Sequence, residues 1–350
     1  MLSVGLVGLP NAGKSTLFNL LTERSVPAEN FPFCTIDPHD GIVEVPDERV
    51  KKLADFAKAQ REVYAAIEFR DIAGLVKNAH AGEGLGNQFL SHIREVDLIL
   101  MVLRAFKNDD IIHVENRVDP LEDEEILMLE LTLSDQKSLE TMLPKLEKEV
   151  RKDPMGQEKV QVAEKILTAL TNLQPARSFE TTLEFYDAEV IQWRKSLNLL
   201  TDKPILKVAN ISTGGDNVAF ASDFDLDILN ETELAGMSAD EREELGMPRE
   251  TGLDKLIRAC YSKLNLATYL TVGEIESRAW TFQKGWKAPQ CAGVIHTDFE
   301  KKFIKAEVVS YTDFMQFGGR KAAGEAGKLR QEGKEYIMQD GDVVEFKIGG

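Results

Sequence analysis

Along the first hundred residues the apolar positions fall into short blocks whose period switches between that of a strand and that of a helix. Leu2, Val4, Leu6 and Val7 form a run with the length and β-branching of a buried strand. From Thr16 to Leu21 the spacing turns helical, with no breaker. A strand is predicted at Gly41 to Val45, then a helix opened by Asp47 with Val50, Leu53, Phe56 and Ala57 on its apolar face. Ala66 to Phe69 alternates as a strand, and Phe89, Ile93 and Val96 share a helical face. The stretch from Asp97 to Leu103 reads as a fully buried strand of a parallel sheet covered on both sides.

Between residues 121 and 200 the pattern becomes that of paired helices. Leu139, Leu143, Leu146 and Val150 alternate steps of four and three, as do Val160, Ala163, Leu167 and Leu170, around a turn at Asp153-Pro154-Met155-Gly156. Strand period resumes at Pro204 to Ala209, which makes the antiparallel hairpin an insertion in an α/β domain. Residues 213–250 are polar, acidic and loop-rich, and end in a helix from Gly252 to Leu264. From Thr281 onward strands are expected at Val294-Ile295, Ile304 to Val309 and Val343 to Ile348. A turn at Asp340-Gly341-Asp342 and a single helix candidate, Ala322 to Gln331, complete a small α+β module.

Composition narrows this picture. A chain of 350 residues exceeds one ordinary core, so two or three domains are expected. The net charge of −17 argues against non-specific attachment to nucleic acid through the whole surface. Residues 281–350 are nearly neutral, with 11 Lys and Arg against 10 Asp and Glu. No apolar run reaches the roughly 18 to 20 residues of a membrane span, and the expected location is the cytoplasm. Cys34, Cys260 and Cys291 are odd in number and far apart, which fits neither a disulfide framework nor a zinc site. Buried or half-buried thiols are expected.

The chemistry concentrates in Gly8-Leu9-Pro10-Asn11-Ala12-Gly13-Lys14-Ser15-Thr16, a glycine-bounded loop between strand and helix. Such a loop aims successive backbone N–H groups at one spot, and the helix N-terminus adds positive potential there. Lys14 supplies a point charge to the outer phosphates of a nucleotide, and Ser15 offers its hydroxyl to Mg²⁺. Thr35, in a loop with two prolines, is placed to complete the Mg²⁺ shell. Asp71-Ile72-Ala73-Gly74 follows the next strand, where Asp71 can hold a metal-bound water and the Gly74 N–H can reach a γ-phosphate. Leu75 stands where switches of this class commonly place a water-orienting glutamine, so His80, Asn78 and His113 become candidates for that task. At the end of the strand Ile205 to Ala209, guanine-specific switches carry Asn-Lys-x-Asp, whose carboxylate accepts from guanine N1 and N2. This chain has Asn210-Ile211-Ser212-Thr213. Loss of that contact removes discrimination on the order of 10⁴. Asn210 and the Ile211 backbone remain able to meet adenine, which favours ATP over GTP; a carboxylate from residues 214–223 would favour GTP instead.

These motifs, with Phe31 to Pro38, Gly84-Leu85-Gly86-Asn87, Arg278 to Thr281, Gly293 to Glu300 and Gly327 to Arg330, resemble the Obg-like ATPases of the YchF subfamily over essentially the whole chain. The resemblance implies a P-loop NTPase domain with a mostly parallel sheet at 1–120 and 201–275. It implies a helical, coiled-coil-like insertion at 121–200 and a C-terminal TGS domain with a ubiquitin-like β-grasp core at 276–350. It further implies Mg²⁺-dependent ATP hydrolysis, slow without a partner. The implied partners are the ribosome, through its large subunit, and ribosomal RNA, with the chain acting as a monomer and no membrane or sequence-specific DNA involved. Carried over, Asn11, Ala12, Gly13, Lys14, Ser15 and Thr16 hold the phosphates, Ser15 and Thr35 bind Mg²⁺, and Asn210 with Ile211 reads adenine. Phe106 resembles an aromatic that packs near the base, and His113 matches the position proposed to help hydrolysis. The family usually has an acidic residue where Thr213 stands. Two alternatives stay open: a GTP-preferring enzyme of the same fold, and a ribosome- or RNA-binding module whose nucleotide is mainly structural.

Overall fold

The computed structural model describes residues 2–24, 40–72, 85–108, 117–179, 186–213 and 215–349. In chain order the first elements are β1 (Ser3–Val7), α1 (Lys14–Thr22), β2 (Asp40–Glu44), α2 (Glu48–Ala57), β3 (Arg61–Val63), β4 (Ala66–Asp71), α3 (Leu85–Glu95) and β5 (Leu98–Arg104). Three helices follow, α4 (Pro120–Glu149), α5 (Gly156–Thr171) and α6 (Ala188–Ser196), then β6 (Ile205–Asn210), β7 (Phe224–Leu226), α7 (Ile228–Leu234), α8 (Ala239–Glu244) and α9 (Gly252–Lys263). The remainder comprises β8 (Leu266–Val272), β9 (Glu276–Gln283), α10 (Ala288–Ile295), α11 (Thr297–Lys301), β10 (Phe303–Ser310), α12 (Tyr311–Phe317), α13 (Arg320–Glu325), β11 (Arg330–Glu332) and β12 (Asp342–Ile348).

Two sheets organise two compact units. The first unit takes in Met1–Glu23, Phe31–Gly41 and Glu68–Leu253. Its sheet has the order β2-β4-β1-β5-β6-β7, with β4, β5, β6 and β7 each parallel to a neighbour. All seven residues of β5 are buried, as a central parallel strand requires. Ile99, Met101 and Leu103 pack with Phe89, Leu90 and Ile93 of α3 and Leu127 and Leu131 of α4. At roughly 1.5 to 3 kcal/mol per fully buried large apolar side chain, this layer is a main source of cohesion. Residues 213–250, read from sequence as loop-rich, contain β7, α7 and α8. Their starts are set by local caps, Asp227 for α7 and a Ser238–Glu241 capping box for α8.

The helical insertion is as expected in outline. Asp119 caps α4, accepting from Glu122 N at 3.1 Å, and α5 returns after a turn that Asp153 braces through Met155 N at 2.9 Å. Leu139, Val162, Ile166 and Leu170 form its core with Ala176, Val190 and Leu199. The middle of α4 is tied down by Asp135, which is fully buried. Its carboxylate accepts from Leu200 N (2.9 Å), Thr201 N (2.8 Å) and the Thr201 hydroxyl (2.8 Å), and Arg94 Nη1 lies 3.4 Å away. Burial pushes its pKa up against the pull of those donors.

The second unit takes in Arg24–Asn30, Ile42–Ile67 and Asp254–Gly350. Its sheet has the order β11-β10-β12-β8-β9-β3; β8 and β9 are antiparallel, as are β10 and β12, while β3 joins parallel to β9. Its core gathers Tyr269, Phe282, Cys291, Phe303, Val308 and Val344. Helix α2 is held by Arg49, whose Nη1 reaches Asp340 Oδ2 at 2.7 Å and whose Nε reaches Asp47 Oδ1 at 2.8 Å, and by the Phe56 ring, edge-on to Phe314 at 5.4 Å. Phe56 keeps 44% of its surface exposed, less buried than its helical spacing implied. Val294-Ile295 is not a strand but the end of α10; Ala288, Cys291 and Ala292 are the buried side of a helix whose N-terminus Pro289 favours. Helices α10, α11 and α12 were all missed, and the candidate at Ala322 to Gln331 divides into α13 and β11. The thiols of Cys260 and Cys291 are buried, the latter pushed up to about 12 by that burial; Cys34 lies outside the described residues.

Replacing Asp135 with Ala would leave two main-chain N–H groups and one hydroxyl without their acceptor. A loss of roughly 3 kcal/mol of unfolding free energy is expected, with Asp135→Asn intermediate, measured by urea titration of the whole chain.

Candidate functional site

The turn from β1 into α1 is shaped by what a side chain would strike. A Cβ at Gly8 would lie 2.4 Å from the Val102 carbonyl oxygen on β5. Gly13 adopts φ +102°, the left-handed region, and a Cβ there would meet Asn210 Nδ2 at 2.5 Å. No side chain caps α1. The N–H groups of its first turn, from Lys14 to Thr16, therefore lack both an intrahelical acceptor and a cap, which is the condition for anion binding. Ser15 and Thr16 are exposed on that turn.

Lys14 is buried, and its Nζ donates to the Leu9 carbonyl at 2.9 Å. Burial lowers its pKa to about 8, and the charge of Asp71 opposes that shift. Asp71 closes β4, in register with Leu6 of β1, so it stands at the same end of the sheet as the loop. Asn11, Ala12, Gly13, Lys14, Ser15, Thr16 and Asp71 are thus brought together at the carboxyl ends of parallel strands, where open α/β sheets receive ligands.

The exits of β5 and β6 form the neighbouring edge. Asn210 is buried; its Nδ2 donates to the Ala12 carbonyl at 3.0 Å and its Oδ1 accepts from Ile228 N at 3.4 Å. Both sides of the amide are engaged, so Asn210 holds the phosphate loop in place. Ile211 N donates to the Leu226 carbonyl at 3.0 Å. Ala105 N and Phe106 N both donate to the Asn210 carbonyl, at 2.9 and 3.2 Å. Of the carboxylates in 214–223, Asp216 pairs with Lys107 at 2.8 Å and Asp223 accepts from Lys207 N at 2.9 Å. Thr35, Gly74, Asn78, His80 and His113 lie outside the described residues.

Two residues of this edge were not singled out from sequence. Arg104 is 1% exposed at the end of β5; its Nε donates to the Phe106 carbonyl at 3.1 Å, and its guanidinium lies 4.7 Å from the centre of the Phe106 ring. A charge closing an otherwise apolar strand was the available signal. Asp227 lies on the turn into α7, and nothing in its local sequence pointed to the loop it meets.

Comparison with known proteins extends this picture. A family model described as "50S ribosome-binding GTPase" matches residues 3–141, and the YchF-GTPase C-terminal model, described as "Protein of unknown function (DUF933)", matches residues 266–349. The chain is 49% identical to the "Ribosome-binding ATPase YchF" of Bacillus subtilis, covering 99% of both chains. It is 42% identical to the "Obg-like ATPase 1" of Pongo abelii, covering 99% of this chain and 92% of that one. The solved structure of the Schizosaccharomyces pombe YchF GTPase superposes with a TM-score of 0.83 at 37% identity, covering 99% of this chain and 97% of that chain.

Lys14 yields a signed pH prediction. A polyphosphate beside Nζ favours the charged form, so binding above about pH 8 must take up a proton, whereas well below it Lys14 is already charged. Calorimetry with Mg²⁺-nucleotide at pH 8.5 in two buffers of different ionisation enthalpy should show uptake of about three-quarters of a proton, falling to about a tenth at pH 7. Equal heats in both buffers at pH 8.5 would mean that Lys14 stays charged in the free protein.

Proposed function

Because the chain belongs to the YchF subfamily of Obg-like ATPases, we propose that it is a ribosome-associated regulatory switch that binds ATP and hydrolyses it slowly to ADP and phosphate. The observation that carries the ATP assignment is the base-side edge. Thr213 replaces the guanine-reading carboxylate, Asp216 is paired with the Lys107 ammonium, and Asp223 accepts from the Lys207 main-chain N–H. A guanine edge would find no carboxylate at Thr213 for its N1 and N2 donors, and because the N–H groups of Ile211, Ser212 and Thr213 are each donated within the protein, the loop main chain would meet adenine through its carbonyl oxygens. In this reading Phe106, buried against Arg104, packs near the base and Asn210 acts by fixing the loop against Ala12.

The phosphates belong on the uncapped first turn of α1, with the Lys14 charge on the outer groups. Mg²⁺ fits the donor set. The exposed Ser15 hydroxyl and the nearby Asp71 are oxygen donors, and among the described residues no cluster of three His, Cys, Asp or Glu offers a dedicated cage. Ser15 and Thr35 would hold the ion, with Asp71 acting through water; bound there, it neutralises charge on the β- and γ-phosphates. Gly74 is assigned to the γ-phosphate. His113, with His80 as the second candidate, is assigned to positioning the attacking water, since Leu75 lacks the means. Among the described residues no helix is long and apolar enough to cross a membrane. The relatives' printed names support a ribosome as partner; a cytoplasmic monomer that meets the large subunit and its RNA completes the proposal.

Calorimetry should show ATP bound more tightly than GTP by at least about tenfold, or about 1.4 kcal/mol. Equal affinities would remove the adenine assignment. The switch assignment makes a separate prediction: co-sedimentation with ribosomes should differ between ATP, ADP and no nucleotide. A nucleotide with a purely structural role would give the same bound fraction with ATP and with ADP.

A further inference from the structure

Thr213 occupies the position at which a guanine-reading loop carries its carboxylate, yet a carboxylate is present there, brought by a different element. Asp227 precedes α7 with extended backbone geometry. It accepts from Asn230 N at 3.0 Å through Oδ1, the helix cap, and from Thr213 N at 2.5 Å through Oδ2. Each oxygen of the carboxylate thus holds one main-chain N–H, one on α7 and one on the loop after β6. Burial would raise the Asp227 carboxyl, but these hydrogen bonds outweigh it and hold the group below the usual carboxylate range, so it is ionised at neutral pH.

The bond from Thr213 is one of three with the same effect. Asn210 Oδ1 accepts from Ile228 N, and Ile211 N donates to the Leu226 carbonyl. Leu226, Asp227 and Ile228 are thereby joined to Ile211, Thr213 and Asn210 respectively, and Asn210 continues the chain of bonds to Ala12 in the phosphate loop. Thr213 is the only one of these three joined to its partner through an ionised side chain, and it lies furthest along the base-facing loop.

We propose that Asp227 is the positioning residue of the nucleotide-base edge. It stands in for the carboxylate missing at Thr213 but turns one oxygen to the Thr213 N–H and the other to the cap of α7, and so fixes the main chain of 211–213 against which the base is read. This rests on the reading of the chain as an ATP-preferring P-loop protein, and it adds the residue through which that preference is set.

The test is calorimetry on the full-length chain with Mg²⁺-ATP, Mg²⁺-GTP and Mg²⁺-tripolyphosphate, which has the phosphates and no base. Asp227→Ser keeps a competent helix cap but is too short to hold Thr213 as well. It should weaken ATP by about tenfold while leaving tripolyphosphate within about twofold. Asp227→Asn, isosteric and still a cap, should show the same base-selective loss and guards against misfolding in the shorter variant. Thr213→Asp places two carboxylates against each other and should weaken both nucleotides. The double variant Thr213→Asp/Asp227→Ser returns the carboxylate to the loop, and should restore nucleotide binding with the GTP-to-ATP affinity ratio raised by about tenfold or more. The proposal is overturned if Asp227→Ser and Asp227→Asn bind ATP like wild type, if they lose ATP and tripolyphosphate equally, or if the double variant keeps the wild-type ratio. Equal wild-type affinities for ATP and GTP would overturn the underlying ATP reading alone, and the contrast between ATP and tripolyphosphate would still decide the role of Asp227.

Discussion

The close approach of the phosphate loop to the two strands beside it is the constraint on which the rest of the first unit depends. Gly8 rests against the Val102 carbonyl of β5 and Gly13 against the Asn210 amide at the end of β6, with no room at either for a single carbon. That proximity requires β1, β5 and β6 to lie side by side in one parallel sheet. It also requires the side chain at 210 to be short, polar and able both to donate to Ala12 and to accept from Ile228, which an asparagine does. The loop geometry, the strand order and the start of α7 are therefore one arrangement.

Buried charges mark where this arrangement is most tightly specified. Arg104, Asp123, Asp135 and Lys14 are each almost fully buried, against the usual preference of such groups for water. Each has named partners. Arg104 donates to the Phe106 and Asn108 carbonyls, Asp123 pairs with Arg117, Asp135 gathers the main chain at 200–201, and Lys14 donates to Leu9. Desolvation makes such groups costly unless every bond is made, so each tolerates few alternative packings of the chain around it. Arg104 closes β5, Lys14 opens α1, Asp123 lies in the first turn of α4 and Asp135 near its middle.

The second unit depends on a different device. Its sheet accepts β3 as an edge strand and α2 as a covering helix, although both are far from β9 and β12 along the chain. Arg49 joins Asp47 beside it to Asp340, and Ser277 donates its hydroxyl to the Val50 carbonyl at 3.1 Å. These few polar bonds, with Phe56 against Phe314, attach a segment that precedes most of the first unit to strands that follow it.

Much was legible in the sequence alone, for physical reasons that are local. The strands β1 and β5 declare themselves because a central parallel strand is apolar on both faces, and β4 and β6 because their apolar positions fall at strand period. The phosphate loop is legible because backbone geometry demands glycine at fixed places, and α2 and the helical hairpin because capping and turn residues act within a few positions. What only the tertiary structure decided is non-local. The short apolar run at Val294-Ile295 has no period of its own, and its helical state depends on which of its neighbours are buried. The union of residues 42–67 with 254–350 rests on bonds between residues more than two hundred positions apart, such as Arg49 with Asp340. The partners of Asn210, and the arrival of a carboxylate at Thr213 from Asp227, likewise depend on how β6, β7 and α7 are laid side by side. Local chemistry is written residue by residue, but which groups meet across the fold is set by the joint packing of all of them.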